Sequence, residues 1–279
     1  GFEILDVSTP GEPALISTFN SRYVNDIAFF GNFAYLISPS VNGIYTLDIS
    51  DPSNPSTIDT TRISCVDEDG FPVSVYAQNG TVQDNFLYVT GSGIMDMGIE
   101  YGALNIFSLD DPAEINLVGG LQTDLYLTDI AIDGNYAYLA YADGMSVFFI
   151  REMGVLVVNI EDPTNPEIVS TYQVSSRIQD MKISDNFLFV SNLSSGLRVI
   201  NISDPVNLHE LGFHETQGLG MGIDIRDNYA YVADYTNFSI YDCSQAMSVS
   251  NNDVLPPGNF QFVSASPNPF NNSVTINFE

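Results

Sequence analysis

Six residues ahead of the asparagine that opens each of five similar strands stand Asp26, Asn79, Asp129, Asp180 and Gly222. Carboxylates recurring at one position of a repeat could converge on an axis and hold a hard cation such as Ca²⁺ through oxygen ligands. The same residue types also satisfy backbone N–H groups of neighbouring loops or bind water, and both readings stand at this stage. A second acidic group, Asp67-Glu68-Asp69, could attract calcium but lacks the alternating spacing and distal glutamate of a calcium loop. His209 and His214 are five residues apart, which in a strand places them on opposite faces, so they do not form a zinc pair and are expected to be solvated. No G-x-S-x-G and no phosphate-cradling glycine loop occurs. Asp26, Asp129 and Asp180 could oppose one another as the acid and base of a polysaccharide hydrolase or lyase. Positions repeated by a fold are more often structural, so no catalytic residue is assigned.

The elements that carry these residues form a repeat of about forty residues. An alternating strand appears as FEILDVS (2–8), IYTLDIS (44–50), ALNIFSL (103–109), VLVVNIE (155–161), LRVINIS (197–203) and FSIYDCS (238–244). Turns such as SDPSNP, EDPTNP and SDPVNL follow it, where proline fixes φ and Asp or Ser caps the turn. The strand after each asparagine reads FAYLIS, FLYVTG, YAYLAY, FLFVSN and YAYVAD. Four short strands per unit predict an all-β protein, a β-propeller of four-stranded blades. From axis to rim the strands are A (NDIAFFG), B (FAYLIS), C (IYTLDIS) and D (STIDTTR). Four blades are complete, at 24–62, 73–121, 127–173 and 178–214. The first residues offer only C and D, and the last repeat only A, B and C. Either the terminal half-blades join in a five-bladed ring, leaving 238–243 surplus, or further strands make six or more blades. Beginning at Gly1 in mid-strand, the sequence reads as a fragment.

Composition narrows the partners. Thirty-five acidic residues face seven basic ones, a formal net charge of −28, which repels nucleic acid and anionic lipid and attracts cations. No apolar run is long enough to span a bilayer as a helix. Cys65 and Cys243 are too few for a disulfide framework, and Cys243 takes the place of Ile49 and Ile202, a core position.

The segments GIYTLDISDPSNP, GVLVVNIEDPTNP and GLRVINISDP, each followed by Asn-aromatic-x-Tyr or its Phe equivalent, resemble the LVIVD-repeat family of bacterial surface propellers. The resemblance covers about 1–244 and implies a propeller, with no common activity to carry over. Residues 245–259 (QAMSVSNNDVLPPGN) read as a linker. The following Ser-Pro-Asn-Pro-Phe-Asn and alternating strand, within 260–279, look like the start of a type IX secretion sorting domain of Bacteroidota-like bacteria. That resemblance implies export, with the protein released or held at the cell surface.

Copies differ in length at three places. From turn proline to the next asparagine the spacing is 33 between Pro52 and Asn85 but 22 or 23 in the other copies, an insertion within 62–73. Two further insertions fall within 91–102 and 142–154. All three are predicted on one face of consecutive blades, the usual place for a binding face of a repeat protein. The candidate ligand-binding residues are Asp67, Glu68, Asp69, Met95, Asp96, Met97, Glu100, Tyr101, Phe148, Phe149, Arg151 and Glu152. Aromatics and methionines beside carboxylates suit an extracellular protein or a glycan. The expectation is a monomeric, non-catalytic binding module with no cofactor, unless the acids hold calcium. A polysaccharide hydrolase and a structural spacer are the alternatives.

Overall fold

The computed structural model describes residues 1–9, 11–20, 23–66, 71–94, 100–143, 152–216, 218–234, 237–248, 258–259, 261–266 and 275–276. A two-stranded sheet, β1 (Phe2–Asp6) and β2 (Ala14–Phe19), comes first. Four-stranded sheets follow: β3 (Asp26–Phe30), β4 (Phe33–Ser38), β5 (Gly43–Asp48) and β6 (Ser56–Arg62), then β7 (Tyr76–Gln83), β8 (Phe86–Ile94), β9 (Glu100–Ser108) and β10 (Asn116–Thr123). The next is β11 (Tyr126–Asp133), β12 (Tyr136–Asp143), β13 (Glu152–Asn159) and β14 (Glu167–Gln173). The fourth is β15 (Asp180–Ser184), β16 (Phe187–Asn192), β17 (Gly196–Asn201) and β18 (His209–His214), extended at its outer edge to five strands by Gly258–Asn259, which runs parallel to β18. Last come β19 (Gly220–Arg226), β20 (Tyr229–Asp234) and β21 (Asn237–Asp242), then α1 (Ser244–Met247), β22 (Gly258–Asn259), β23 (Gln261–Ser266) and β24 (Thr275–Ile276). The predicted A-B-C-D order is therefore observed as antiparallel neighbours in each four-stranded sheet.

Two details extend that reading. β23 pairs with β21, Ile240 opposite Val263, and so takes the fourth place in the last sheet. β20 already has β21 as its neighbour, so the terminal half-sheets are not merged into one: β1 and β2 stand as a sheet of their own.

Local chemistry explains the regular unit. In the Asp-Pro turns the Oδ1 of Asp51, Asp111, Asp162 and Asp204 each accepts the N–H two residues on, at 3.0 Å. Hydrogen bonds from Ser53 and Thr164 hold the Asp51 and Asp162 carboxyls below the usual carboxylate range. Each C–D ladder of sheets β1–β2, β3–β6, β7–β10 and β15–β18 carries one register shift, a bulge that increases local twist.

The chain divides into two compact units, one comprising Gly1–Ile130 with Ala142–Arg151 and Asn159–Glu167, the other Ala131–Tyr141, Glu152–Val158 and Ile168–Glu279. In the first, Ala34, Leu36 and Leu47 pack against Phe2 and Phe19, while Tyr35, Ile37 and Ile44 join Leu87, Val89 and Phe107 on the other face. In the second, Tyr138 and Val157 pack with Leu188 and Ile200, and Phe189 and Val199 pack with Ala230 and Val232. Alternation within the second and third strands of the four-stranded sheets supplies apolar residues to both faces, so these inner strands carry the core.

The aromatic position of strand B also bonds between sheets. The buried Tyr35 hydroxyl donates to the Pro112 carbonyl at 2.9 Å, and burial, then the nearby Asp111 charge, push its pKa from 10.0 up to about 12. Burial likewise raises Tyr88, Tyr138, Tyr172 and Tyr241. A raised pKa in the folded state contributes stability that is complete below the unfolded value and is lost as pH rises through the folded one. Thermal stability should therefore fall steeply as pH climbs from 10.0 toward about 12. Absorbance at 295 nm should show these tyrosines ionising together with unfolding. Their ionisation near 10.0 in a still-folded protein would contradict this account.

Candidate functional site

The best-defined local construction lies where the chain passes from β6 to β7, at the base of the first insertion. Asn105, 2% exposed on β9, accepts the Ser64 N–H through Oδ1 at 2.9 Å and donates from Nδ2 to the Ser64 carbonyl at 3.2 Å. On β10, Gln122 Oε1 accepts the Val66 N–H at 2.9 Å and the Cys65 thiol at 3.3 Å. The Val73 N–H donates to the Cys65 carbonyl at 2.9 Å, and Val66 bridges to Pro72. Two amide side chains thus substitute for missing backbone partners at the start of the loop, while the Val73–Cys65 bond and the Val66–Pro72 bridge close its base, leaving Phe71 67% exposed. Burial pushes the Cys65 thiol pKa upward, so it is a packed thiol and not an activated nucleophile.

The base of the second insertion lies beside the first. A Cβ on Gly91 would stand 2.3 Å from Ile63 Cδ1, the movable end of a side chain, whereas one on Gly93 would stand 2.4 Å from the Ser74 carbonyl oxygen, so β8 requires glycine at 93 where the segment beside the first loop crosses it. Between them, buried Ser92 donates from Oγ to the Leu127 carbonyl and accepts the Leu127 N–H, both at 2.7 Å. Glu100 opens β9 opposite Ile94, and Tyr101 is half-buried against the core of the first unit. Glu152 begins β13 and is exposed. Asp67, Glu68, Asp69, Met95, Asp96, Met97, Phe148, Phe149 and Arg151 lie outside the described residues. The roles of Asn105, Ser92 and Gln122 had no sequence signal beyond polar residues in strands, the first two at buried positions and Gln122 at an exposed one.

The repeated carboxylates have backbone partners. Asp26 Oδ2 accepts the Gly80 N–H of β7 at 3.1 Å, and Asp180 Oδ2 accepts the Ile223 N–H of β19 at 2.8 Å. In each case the first strand of one sheet is tied to the first strand of the next. Asp180 also pairs with Lys182 at 3.0 Å, while Asp129, 2% exposed, accepts the Ile130 N–H at 2.8 Å. No group of three His, Cys, Asp or Glu side chains suited to a metal occurs among the described residues. His214 is half-buried, its ring 4.7 Å from that of Tyr241, which differs from the solvated histidine expected.

A cleft of about 560 Å³ opens on the last sheet, lined by Asp180, Asp224, Arg226, Tyr231, Ala233 and Phe238 among others. Tyr231 occupies the repeat position of Tyr35, Tyr88, Tyr138 and Phe189, all fully buried, yet is itself only half-buried. The cleft is an open face of the kind that forms core in the other sheets.

The LVIVD repeat model matches residues 21–60, 126–174, 177–216 and 217–250, more than half of the chain. The chain belongs to the LVIVD repeat family. The stretch between the first two matched segments, left unmatched, holds the 62–73 and 91–102 insertions. A protein of unknown function from Desulfotomaculum acetoxidans is similar in structure, with 13% identity and a TM-score of 0.59 over 78% of this chain and 65% of that one. This chain thus spans less than two thirds of that structure's length, and the likeness concerns fold alone. The computationally designed Ika8 protein aligns with 12% identity and a TM-score of 0.48, over 80% of this chain and 72% of its own. No curated protein matches the chain significantly. No helix among the described residues is long and apolar enough to cross a membrane.

Proposed function

We propose that the sheets of this LVIVD repeat protein are blades of a closed β-propeller, and that the protein is an exported, non-catalytic module binding an extracellular protein or glycan. The binding surface is the end that carries the 62–73, 91–102 and 142–154 insertions. The observation that supports this is the amide-clamped base of the first insertion, pressed against the glycine-rich base of the second. A long loop held at both ends loses little conformational entropy when a ligand docks, which is how preorganised loops gain affinity. Loops that had merely lengthened by drift would need no such clamps. Export rests on the Ser-Pro-Asn-Pro-Phe-Asn run at 266–271.

The test is a glycan array and a surface-protein pull-down with the full chain, with and without Ca²⁺. The variant has 91–102 and 142–154 trimmed to the loop lengths of 178–214. The expected result is at least one ligand bound by the full chain and lost, by roughly tenfold or more in affinity, by a trimmed variant that melts at an unchanged temperature. Ligand binding that survives trimming overturns the assignment of the surface. Ca²⁺ dependence would add the repeated or loop carboxylates as cation ligands.

A further inference from the structure

The entry to the innermost strand carries a repeat signal of its own. Nine residues ahead of Asn32, Asn85 and Asn135 stands a tyrosine, Tyr23, Tyr76 and Tyr126, where the later copies have Arg177 and Leu219. Tyr76 opens β7 and Tyr126 opens β11. Both belong to interior copies, with complete four-stranded sheets before and after their own in the chain. Tyr76 is 51% exposed although its neighbours Val75 and Ala77 are 1% and 0% exposed, and Tyr126 is half-buried. A single exposed tyrosine would need no explanation, but this one recurs and its surroundings are built to hold it.

Three side chains fix the pair. Asn25 donates from Nδ2 to the Ala77 carbonyl at 3.0 Å and so holds the residue after Tyr76. Ser92 stands opposite Tyr76 in the β7–β8 ladder, and its Oγ bonds both the N–H and the carbonyl of Leu127, the residue after Tyr126. Gln78, the counterpart of Asn25 in the repeat, falls at the register shift between Ala77 and Asn79, a bulge of the kind that re-aims a side chain. Its Nε2 donates to the Tyr76 carbonyl at 3.3 Å and to the Tyr126 hydroxyl at 3.1 Å. Both bonds use the amide nitrogen, which leaves Oε1 as an acceptor for a ligand hydroxyl. Two phenols and the amide between them are thus set in place before any ligand arrives.

We propose that Tyr76, Gln78 and Tyr126 form a saccharide subsite that takes an uncharged sugar ring. A pyranose presents an apolar C–H face and an edge of hydroxyls. The face packs on a phenol ring and the hydroxyls pair with the amide, an apolar wall with a few polar groups that fix orientation. A protein interface would call for a broader apolar core with charge excluded, whereas two phenols bracketing one amide match the scale of a sugar ring. The formal net charge of −28 repels uronate and sulfated polymers, which selects neutral sugars. Tyr76 follows the 62–73 insertion and faces Ser92 of the 91–102 insertion, so the subsite lies at the end assigned above to ligand binding. It rests on that reading and names its ligand class.

The probes are short oligosaccharides of neutral glucan, mannan and xylan, with an oligogalacturonate as the charged arm, titrated into the full chain by calorimetry. The chain has no tryptophan, so tyrosine emission gives a second readout. The expected result is binding of at least one neutral probe in preference to the uronate. Tyr76→Ala and Gln78→Leu should each weaken it by roughly tenfold or more, as loss of a central contact does, while Tyr76→Phe keeps the ring and the affinity. Tyr76→Ala should leave the melting temperature unchanged, because the side chain is 51% exposed. No neutral probe bound, a preference for the uronate, or an affinity unaffected by Tyr76→Ala and Gln78→Leu overturns the subsite. If that unaffected binding is still lost on trimming 91–102 and 142–154, the binding end stands and the subsite alone falls; if it survives trimming, both fall. A protein captured through Tyr76 in place of a sugar overturns the ligand class and keeps the binding end.

Discussion

Gly43→Ala is expected to destabilise the protein by about 3 kcal/mol, the upper range for overpacking, because the obstacle is backbone. A Cβ at Gly43 would stand 2.0 Å from the Thr61 carbonyl oxygen and 2.8 Å from Arg62 Cα. No flexible side chain is available to move aside, so strands C and D would have to separate where their ladder begins. A Cβ at Gly154 would stand 2.0 Å from the Tyr172 carbonyl oxygen and one at Gly196 2.1 Å from the His214 carbonyl oxygen, so the same close approach recurs at the start of strand C. Ala103 and Asn237 hold this position in the other two sheets, whose strands β9 and β21 enter their ladders differently. Calorimetry of Gly43→Ala should show a melting temperature lower by roughly 6–12 °C. A change under about 1 kcal/mol would mean that the strand start relaxes freely and that the glycine is not a packing requirement.

Asn105→Leu is expected to cost about 2–4 kcal/mol, since it strands the Ser64 N–H and carbonyl where each had a side-chain partner. Leucine restores apolar volume but offers neither donor nor acceptor, so the loss is of hydrogen bonds and not of packing. The effect should be local as well as global. Limited proteolysis should begin within 62–73 at protease levels that leave the wild-type loop intact, while far-ultraviolet circular dichroism stays unchanged. Gln122→Leu should act in the same direction, as Gln122 holds Val66 and Cys65. A loop as protease-resistant as wild type in both variants would show that the clamps do not order it, and the preorganisation argument for the binding end would fall with them.

Much of the architecture was legible because a repeat is read several times over. Alternation in FAYLIS and IYTLDIS, with Asp-Pro turns and positions of asparagine, located β4, β5 and the turn after them within a residue or two. Cys243, read as a core residue from its place in the repeat, is 0% exposed. The repeated carboxylates were recognisable as a set, but their partners were not. The N–H groups they meet, of Gly80 and Ile223, belong to another sheet more than forty residues away.

What the sequence by itself determined is therefore periodic and local: strand order within a sheet, the turn chemistry, the faces that carry apolar residues, and the lengths that depart from the repeat. Each follows from backbone sterics and alternation acting over a few residues. Only the tertiary structure decided what is non-local. It placed Asn105 under Ser64, set Gly43 against Thr61, and gave the last sheet β23 as its fourth strand. These depend on which backbone passes within a few ångströms of another, a distance that pattern along one chain does not encode.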